Sequence, residues 1–329
     1  MRVLLVVAAL VAATPESRVE LPPVLAALVE DGRWDATPKA FRVIALSHLA
    51  DGCAQEGVAE PLKRESARQC VARALALAKA TTTAAPLAVE DALWLTHLDL
   101  VLGASERVGP CADAALHEAV SEKLARLSLK DPQAHAPSYA ALPLRWPADQ
   151  AATLAALRRY DVAHGAHLSE APLEAWKRVM ATKLSPAWKL PVSEVTGRGP
   201  GAKHPRGCAQ SYLTRYLAEV DPALSTEWWA SYREHFLVRV AGLPGFREWP
   251  PGVERAGDAD SGPIVLGVGA AASAFAIAAA RAQGDAALAV ELESAAGLVL
   301  SAGAGGAAGR TVLAEAIRYQ ARTQPRLVE

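Results

Sequence analysis

The spacing of apolar residues limits this chain to a helical fold. Ala and Leu dominate the sequence, and apolar residues recur three and four positions apart through long segments. This spacing places them on one face of an α-helix. Runs of β-branched residues, which favour strands, are scarce. The sequence therefore predicts an all-α protein.

Caps and helix breakers divide this helical sequence into separate segments. Asp149, Ser169 and Asp221 each stand at a predicted helix start. We predict about twelve helices, at residues 18–31, 38–52, 56–80, 88–104, 110–128, 148–164, 170–183, 208–219, 222–241, 262–282, 284–301 and 308–321. Such helices, joined by short loops, fit either a superhelical array or a closed toroid of helical hairpins. No repeat of fixed period is visible, which disfavours the ordinary helical-repeat families.

The N-terminus has the pattern of a secretory signal peptide. A basic start at Arg2 precedes the uninterrupted apolar residues 3–13, and a small-residue and turn region follows. The apolar stretch is too short to span a bilayer, and a buried first helix or strand is the alternative. We predict a signal peptide at residues 1–16, a single domain at residues 17–329, and export to the periplasm or the extracellular space.

Charge and hydropathy argue against two classes of partner. The chain has 34 Lys and Arg against 35 Asp and Glu, without a basic run interleaved with aromatic residues, so nucleic acid is not an expected partner. Residues 262–280 carry no charge and approach the length of a membrane span. Their Gly and Ala content gives weak insertion, and Asp258 and Asp260 stand directly before them. We predict a buried helix of small residues here and no stable membrane span.

The four cysteines permit up to two disulfides in an oxidising compartment. Cys53, Cys70 and Cys111 lie among the N-terminal helices, whereas Cys208 stands alone in a Gly- and Pro-rich loop. Their spacing fits no zinc site. We expect one bridge within the first three and a free Cys208, and the spacing leaves the pairing of the three open.

Two Gly-rich patterns, at residues 267–272 (GVGAAA) and 303–308 (GAGGAA), resemble a dinucleotide fingerprint. That fingerprint requires a strand, a tight turn, a helix N-terminus and a return strand that ends in an acidic residue. Too little sequence follows the second pattern to supply these elements. Glu291 stands at a suitable distance from the first, but the residues around it have a helical pattern. We therefore expect no nucleotide cofactor.

Two loop-to-helix junctions carry candidate site residues. At residues 146–150 (WPADQ), Asp149 is either an acid/base group or a helix cap. At residues 205–211 (PRGCAQS), Cys208 begins a helix beside Arg206. The helix dipole and a guanidinium both lower the pKa of a thiol, which predicts a nucleophile or an acid/base group. A buried apolar role for the thiol is the alternative.

A third junction runs from residues 245–250 (GFREWP) through residues 258–263 (DADSGP) into the small-residue helix. Asp258 and Asp260 can act there as acid, base, metal ligand or helix cap, and capping alone needs one carboxylate. A metal would require more oxygen or histidine ligands, so we expect none here. The histidines of the predicted helices, for which a hydrogen-bonded or surface role is the simpler interpretation, are His48, His97, His164 and His167.

The three junctions resemble those of bacterial (α/α)-barrel proteins related to linalool dehydratase/isomerase. The resemblance covers about the C-terminal 190 residues and rests on residues 146–150, 205–211, 245–250 and 258–263. It implies a toroid of about six helical hairpins around a central pocket, often exported and often homo-oligomeric. The family's enzyme hydrates and isomerises a small terpene alcohol without a cofactor, using Asp, Tyr, His and Cys side chains. Of these, Cys208 is the one residue that we match.

These features lead to one functional hypothesis and two alternatives. We expect a cofactor-independent lyase, hydratase or isomerase for a small, largely apolar substrate, with Asp149 and Asp260 as acid and base and Cys208 as a second proton donor or nucleophile. The predicted substrate-binding residues are Trp146, Arg206, Gln210, Ser211, Tyr212, Glu248, Trp249, Asp258 and Ser261. The alternatives are a carbohydrate-active barrel that uses two carboxylates and stacking tryptophans, and a non-catalytic envelope protein whose motifs cap helices.

Overall fold

The computed structural model describes residues 37–196, 204–301 and 312–328. Within them the chain forms eleven α-helices, and its few strands are two to four residues long. The predicted all-α class is therefore confirmed. The predicted signal peptide, the helix predicted at residues 18–31 and the Gly-rich pattern at residues 303–308 lie outside the described residues.

The elements follow one another along the chain with two short 3-10 turns, Pro61–Lys63 and Pro86–Ala88. The helices are α1 (Lys39–Ala59), α2 (Arg64–Ala80), α3 (Ala92–Val108), α4 (Ala114–Lys130), α5 (Pro147–His164), α6 (Glu170–Met180), α7 (Gly207–Leu217), α8 (Pro222–Phe236), α9 (Ala270–Ala282), α10 (Ala286–Ser301) and α11 (Val312–Thr323). The strands are β1 (Leu144–Arg145), β2 (Val195–Thr196), β3 (Leu237–Val240), β4 (Leu243–Phe246), β5 (Ile264–Val265) and β6 (Val268–Gly269), which pair in sequence as three antiparallel two-stranded sheets.

Four predicted helix boundaries are wrong. The helix predicted at residues 38–52 continues to Ala59. Pro61 divides the segment predicted at residues 56–80, because proline lacks the amide that would continue α1. The helix predicted at residues 222–241 ends at Phe236, where β3 begins. The β3–β4 hairpin turns at Ala241 and Gly242, both with positive φ, the turn geometry that matches strand twist. It brings Phe246 onto Tyr232, with the two rings stacked 4.6 Å apart.

The fourth error concerns the Gly-rich pattern at residues 267–272. The helix predicted from residue 262 begins only at Ala270, and the β5–β6 hairpin precedes it. Leu266 and Gly267 form the hairpin turn with φ of 51° and 81°, and the second of these is a conformation that glycine adopts without strain. The pattern is therefore a turn followed by a helix start.

The odd-numbered helices contact one another in cyclic order. α1 packs against α3, α3 against α5, α5 against α7, α7 against α9, α9 against α11, and α11 against α1. Among the even-numbered helices, α2 packs on α1 and α3, α4 on α3 and α5, α8 on α7, and α10 on α9. The odd-numbered helices thus make contacts with both of their odd-numbered neighbours. Four of the even-numbered helices pack on them from outside this cycle, and α6 packs on α4.

Helix α9 confirms the prediction of a buried helix made of small residues. Ala272, Ala276, Ala279 and Ala280 have no exposed surface, and α9 packs against α7, α10 and α11. Small side chains allow such close approach on several faces. None of the helices in the described ranges combines the length and the apolar character needed to cross a bilayer.

A buried ionic network joins the C-terminal halves of α1, α3, α5 and α7. Asp51 accepts hydrogen bonds from Arg107 (3.0 Å) and Arg215 (3.1 Å) and lies 3.1 Å from Arg159. Glu219 pairs with Arg159 at 2.7 Å and with Arg215. Burial alone would raise the pKa of Asp51, but the guanidiniums outweigh it and hold that pKa well below its usual value. Two carboxylates thus pair with three guanidiniums, of which Arg159 and Arg215 are buried and Arg107 is partly exposed.

A disulfide joins Cys53 of α1 to Cys70 of α2, which answers the pairing that the sequence left open. Cys111 and Cys208 are free, as expected for Cys208.

The Cys53–Cys70 bridge closes a loop with a sequence separation of 17, and closing a loop of this length restricts the unfolded chain. We expect the double variant Cys53→Ser/Cys70→Ser to lose about 3 kcal/mol of unfolding free energy. Urea denaturation measures it, and an unchanged value, with Cys111→Ser as the control, would contradict this expectation.

Candidate functional site

Asp149 is a partly exposed carboxylate in the first turn of α5. Its Oδ2 accepts a hydrogen bond from the Ser138 hydroxyl at 2.5 Å. The N-cap residue of α5 is Trp146, and α5 has no side-chain cap hydrogen bond. The alternative that Asp149 caps this helix is therefore not supported. Burial raises the pKa of Asp149 to about 6. The hydrogen bond from Ser138 lowers this pKa in part, and the charge of Asp260 raises it further. A carboxyl group with this pKa both donates and accepts protons near neutral pH.

A chain of hydrogen bonds runs through His97 on α3 and joins Ser47 to Tyr212. The Ser47 hydroxyl donates to the carbonyl oxygen of Ile44 at 2.8 Å, so its oxygen accepts from Nδ1 of His97 at 2.7 Å. Nε2 of His97 is then an acceptor for the Tyr212 hydroxyl at 3.1 Å. Burial lowers the pKa of His97 to about 3, and His48 adds to the shift. His97 is therefore a neutral imidazole that orients the Tyr212 hydroxyl.

A second neutral imidazole lies beside the Tyr212 ring. His48 is 3% exposed, and its ring centroid is 6.2 Å from that of Tyr212 and 5.7 Å from that of Phe275. Burial lowers the pKa of His48 to about 4. Within the described residues neither of its ring nitrogens has a partner at hydrogen-bonding geometry. The Gln320 side chain is close enough to oppose part of this shift, so His48 keeps a weak polar neighbour.

A narrow recess lies between Asp149 and His97. Its lining residues are Ala92, Leu93, Thr96, His97, Ala136, Ser138, Asp149, Ala152 and Thr153. About 190 Å³ of space lies among these atoms, part of it open to solvent. The walls leave no room for a water-sized sphere, so a substrate enters only when side chains move.

Glu248 occupies the N-terminus of α7. Its Oε2 accepts from the Cys208 amide at 3.2 Å, and its Oε1 accepts from the Cys208 thiol at 3.1 Å and from Nε of Arg206 at 2.8 Å. A Cβ on Gly207 would stand 1.9 Å from the carbonyl oxygen of Arg247, so only glycine permits this approach. Burial raises the pKa of Glu248, although Arg206 opposes the shift.

The direction expected for the pKa of Cys208 is wrong. Burial and then the Glu248 carboxylate raise this pKa well above its usual value, and Arg206 only partly opposes them. The helix N-terminus and Arg206 do not stabilise a thiolate here, because Glu248 takes both of their interactions. Cys208 is therefore a protonated thiol that donates to Glu248.

This protonation state predicts slow alkylation of Cys208. We expect iodoacetamide at pH 8 to modify the half-buried Cys111 at least about tenfold faster than Cys208, because thiolate is the reacting species. Mass spectrometry of peptides from timed reactions measures both rates, and Cys111→Ser isolates the slower one. Equal rates at the two thiols would contradict the protonated state.

The charge of Asp260 acts on the other two predicted catalytic residues. It lies in a turn in which Asp258 accepts the amides of Asp260 (3.1 Å) and Ser261 (3.0 Å). The negative charge of Asp260 raises the pKa of both Asp149 and Cys208. Burial and the Asp258 charge raise the pKa of Asp260 itself. Its exposed position gives this carboxylate access to solvent.

Arg206 connects this turn to the start of α7. It donates to Asp258 at 2.8 Å, and its guanidinium lies 5.0 Å from the centroid of the Trp249 ring. Trp249 is thus held against a charged side chain at the edge of the site.

None of the predicted substrate-binding residues lines the recess, and of the predicted catalytic residues only Asp149 does. Gln210 donates to the Pro191 carbonyl at 2.9 Å, and the fully buried Ser211 donates to the carbonyl of Gly207 or Ala272. Ser261 bonds within its own turn. Trp146 precedes α5 and packs edge-on against Tyr139. These contacts hold elements together, and we leave the four residues out of the proposed site.

His97 and His48 are the site residues that the sequence did not single out. A signal exists for His97, since Leu93, His97 and Leu100 share one face of α3. A histidine on an apolar stripe is buried and needs a polar partner. That partner, Tyr212, is 115 positions away and follows only from the packing of the helices.

Comparison with models of known protein families and with curated proteins finds no match for this chain. The functional argument therefore rests on the chemistry of the side chains around the recess.

Proposed function

We propose that this chain is a cofactor-independent lyase, hydratase or isomerase that acts on a small, largely apolar substrate. The observation that carries the proposal is Asp149, a carboxyl group with a pKa of about 6 in a recess that it shares with the neutral His97. General acid or base catalysis by a group so tuned accelerates proton transfer by roughly 10²–10⁴-fold.

The proposed architecture is an exported (α/α) barrel of about six hairpins, like that of the family to which the three junctions bear a resemblance. The cyclic contacts of the odd-numbered helices support it. So does the placement of residues, since Asp149, Cys208 and His97 stand in the first two turns of α5, α7 and α3. The Cys53–Cys70 disulfide supports export, because such bridges persist in oxidising compartments.

The proposed reaction is the reversible removal of water from an alcohol. Protonated Asp149 donates to the hydroxyl oxygen, the carbon–oxygen bond breaks, and water leaves. Asp260 accepts a proton from the adjacent carbon, whose bonding electrons form the double bond. The Tyr212 hydroxyl, held by His97, positions the substrate oxygen. Return of protons at different carbons would isomerise the substrate, with the Cys208 thiol as a second donor.

The narrow recess favours a small substrate over a glycan. Its walls are closed to a water-sized sphere, so it offers no open groove along which a glycan could lie. Ala92, Leu93, Ala136 and Ala152 give it apolar walls, and its other five lining residues carry polar side chains. A carbohydrate-active barrel would instead need an open groove with its two carboxylates on either side of the scissile bond.

An exchange experiment in ²H₂O tests the proposal on a range of candidate substrates at once. The chain is incubated with a panel of small tertiary and allylic alcohols and the corresponding alkenes, and mass spectrometry detects deuterium on carbon. We expect exchange for at least one pair, and its loss in Asp149→Asn but not in Glu227→Gln, an exposed carboxylate of α8. Cleavage of oligosaccharides without alcohol exchange, or exchange that survives in Asp149→Asn, would overturn it.

A further inference from the structure

A second polar cluster lies between α3, α4 and α5, away from the recess. Oε2 of Glu106 stands 3.0 Å from Nδ1 of His117 and 2.9 Å from Nε2 of His164. Glu106 follows His97 by nine residues along α3, which separates them by about 13 Å along the helix axis. None of these three residues takes part in the proposed reaction.

His117 is fully buried, yet neither of its ring nitrogens makes a hydrogen bond of good geometry within the described residues. Oε1 of Glu106 is a buried acceptor that likewise has no such partner there. Buried polar atoms left unsatisfied cost about 1–3 kcal/mol each. A ligand that engages the imidazole and the carboxylate together would remove this cost.

Two imidazole nitrogens and one carboxylate oxygen form the ligand set of a zinc-type metal. The three ligand atoms lie within 4.8 Å of one another. A tetrahedral zinc with ligands at 2.0–2.1 Å requires separations of about 3.3 Å, so the measured 2.9 and 3.0 Å need only a small opening. His164 is partly exposed, so water can reach the fourth coordination position.

The surroundings of the cluster also suit a metal. Oδ1 of Asp99 lies 3.7 Å from Nε2 of His117, the nitrogen that would not bind the ion. A small approach of Asp99 to hydrogen-bonding distance would let its carboxylate orient a metal-bound His117. The Tyr160 ring packs edge-on against His117 at 4.9 Å and stacks on His164 at 4.4 Å, which fixes both imidazole rings.

We propose that Glu106, His117 and His164 bind one divalent transition-metal ion of the zinc class, with Asp99 as a positioning residue. The ion ties the even-numbered helix α4 to α3 and α5. The site does not depend on the proposed function, since it shares no residue with the recess.

Titration of the tag-free chain with Co²⁺ tests the metal site, because cobalt reports tetrahedral nitrogen and oxygen ligation by its visible absorption. We expect one Co²⁺ per chain, displacement by Zn²⁺, and a higher Tm with Zn²⁺. His164→Ala and Glu106→Gln should weaken binding at least about tenfold, and Asp99→Asn about 10–100-fold.

His167→Ala is the matched control, since His167 is an exposed histidine three residues beyond His164 that pairs with Glu170. It should bind Co²⁺ as the wild type does. Circular dichroism confirms that each variant is folded. The proposal is overturned if the wild type shows no tetrahedral cobalt spectrum, or if His164→Ala and Glu106→Gln bind as tightly as His167→Ala.

Discussion

Asp51→Asn is expected to lower the free energy of unfolding by about 3–5 kcal/mol, the cost of breaking a buried ionic network. The substitution removes one of the two carboxylates that balance Arg107, Arg159 and Arg215. Arg215 is only 4% exposed and Arg159 10%, so water cannot replace the lost charge. Of the two network carboxylates, Glu219 alone would then face the three guanidiniums.

Asp113→Asn provides the control for this substitution. Asp113 pairs with Lys79 at 2.9 Å on the surface, where an ion pair contributes up to about 1 kcal/mol. Urea denaturation of the two variants compares a buried with an exposed pair. If Asp51→Asn lost no more stability than Asp113→Asn, the network would not hold the C-terminal halves of these helices together.

Asp149→Asn is expected to lower kcat by roughly 10²–10⁴-fold on any substrate found by the exchange experiment, because the amide cannot transfer a proton. It keeps an oxygen that accepts from Ser138. The loss should therefore fall on kcat more than on KM, as expected for a group that acts on the transition state. Glu227→Gln should leave both constants unchanged.

The same substitution should stabilise the protein at alkaline pH. The folded-state pKa of Asp149, about 6, exceeds the ordinary aspartate value of 3.8, so the folded state binds more protons between these values. The wild type then loses stability as the pH rises from 4 to 6, up to about 3 kcal/mol. Asp149→Asn lacks this carboxylate and should be more stable than the wild type at pH 8, with a smaller difference at pH 4. Urea denaturation at the two pH values measures both differences, and equal gains would contradict the shifted pKa.

The sequence predicts the helices well where apolar spacing persists over several turns. Helix α5, predicted at residues 148–164, is an example, since most of its buried residues are Ala or Leu. The spacing fails where a hairpin buries one large side chain. Phe246 is such a case, because its contact with Tyr232 is tertiary and leaves no local pattern.

The candidate site is less predictable than the fold. Asp149 and Cys208 follow from their positions at helix starts, but the state of Cys208 depends on Glu248, 40 positions away. A helix N-terminus beside an arginine predicts a low thiol pKa only if no carboxylate accepts hydrogen bonds from both the helix amide and the guanidinium. His117 can likewise be recognised as a candidate metal ligand only from the packing of α3 and α5, which brings Glu106 and His164 close to it.

Asp149 can act as an acid/base group near neutral pH only if its pKa is raised, and ¹³C NMR of the chain labelled at aspartate carboxyl carbons measures this pKa directly. The Asp149 resonance is identified by its absence from Asp149→Asn. Our account predicts that it titrates with a pKa near 6. Titration near 4, the ordinary value for aspartate, would contradict the claim and remove the basis for the proposed reaction.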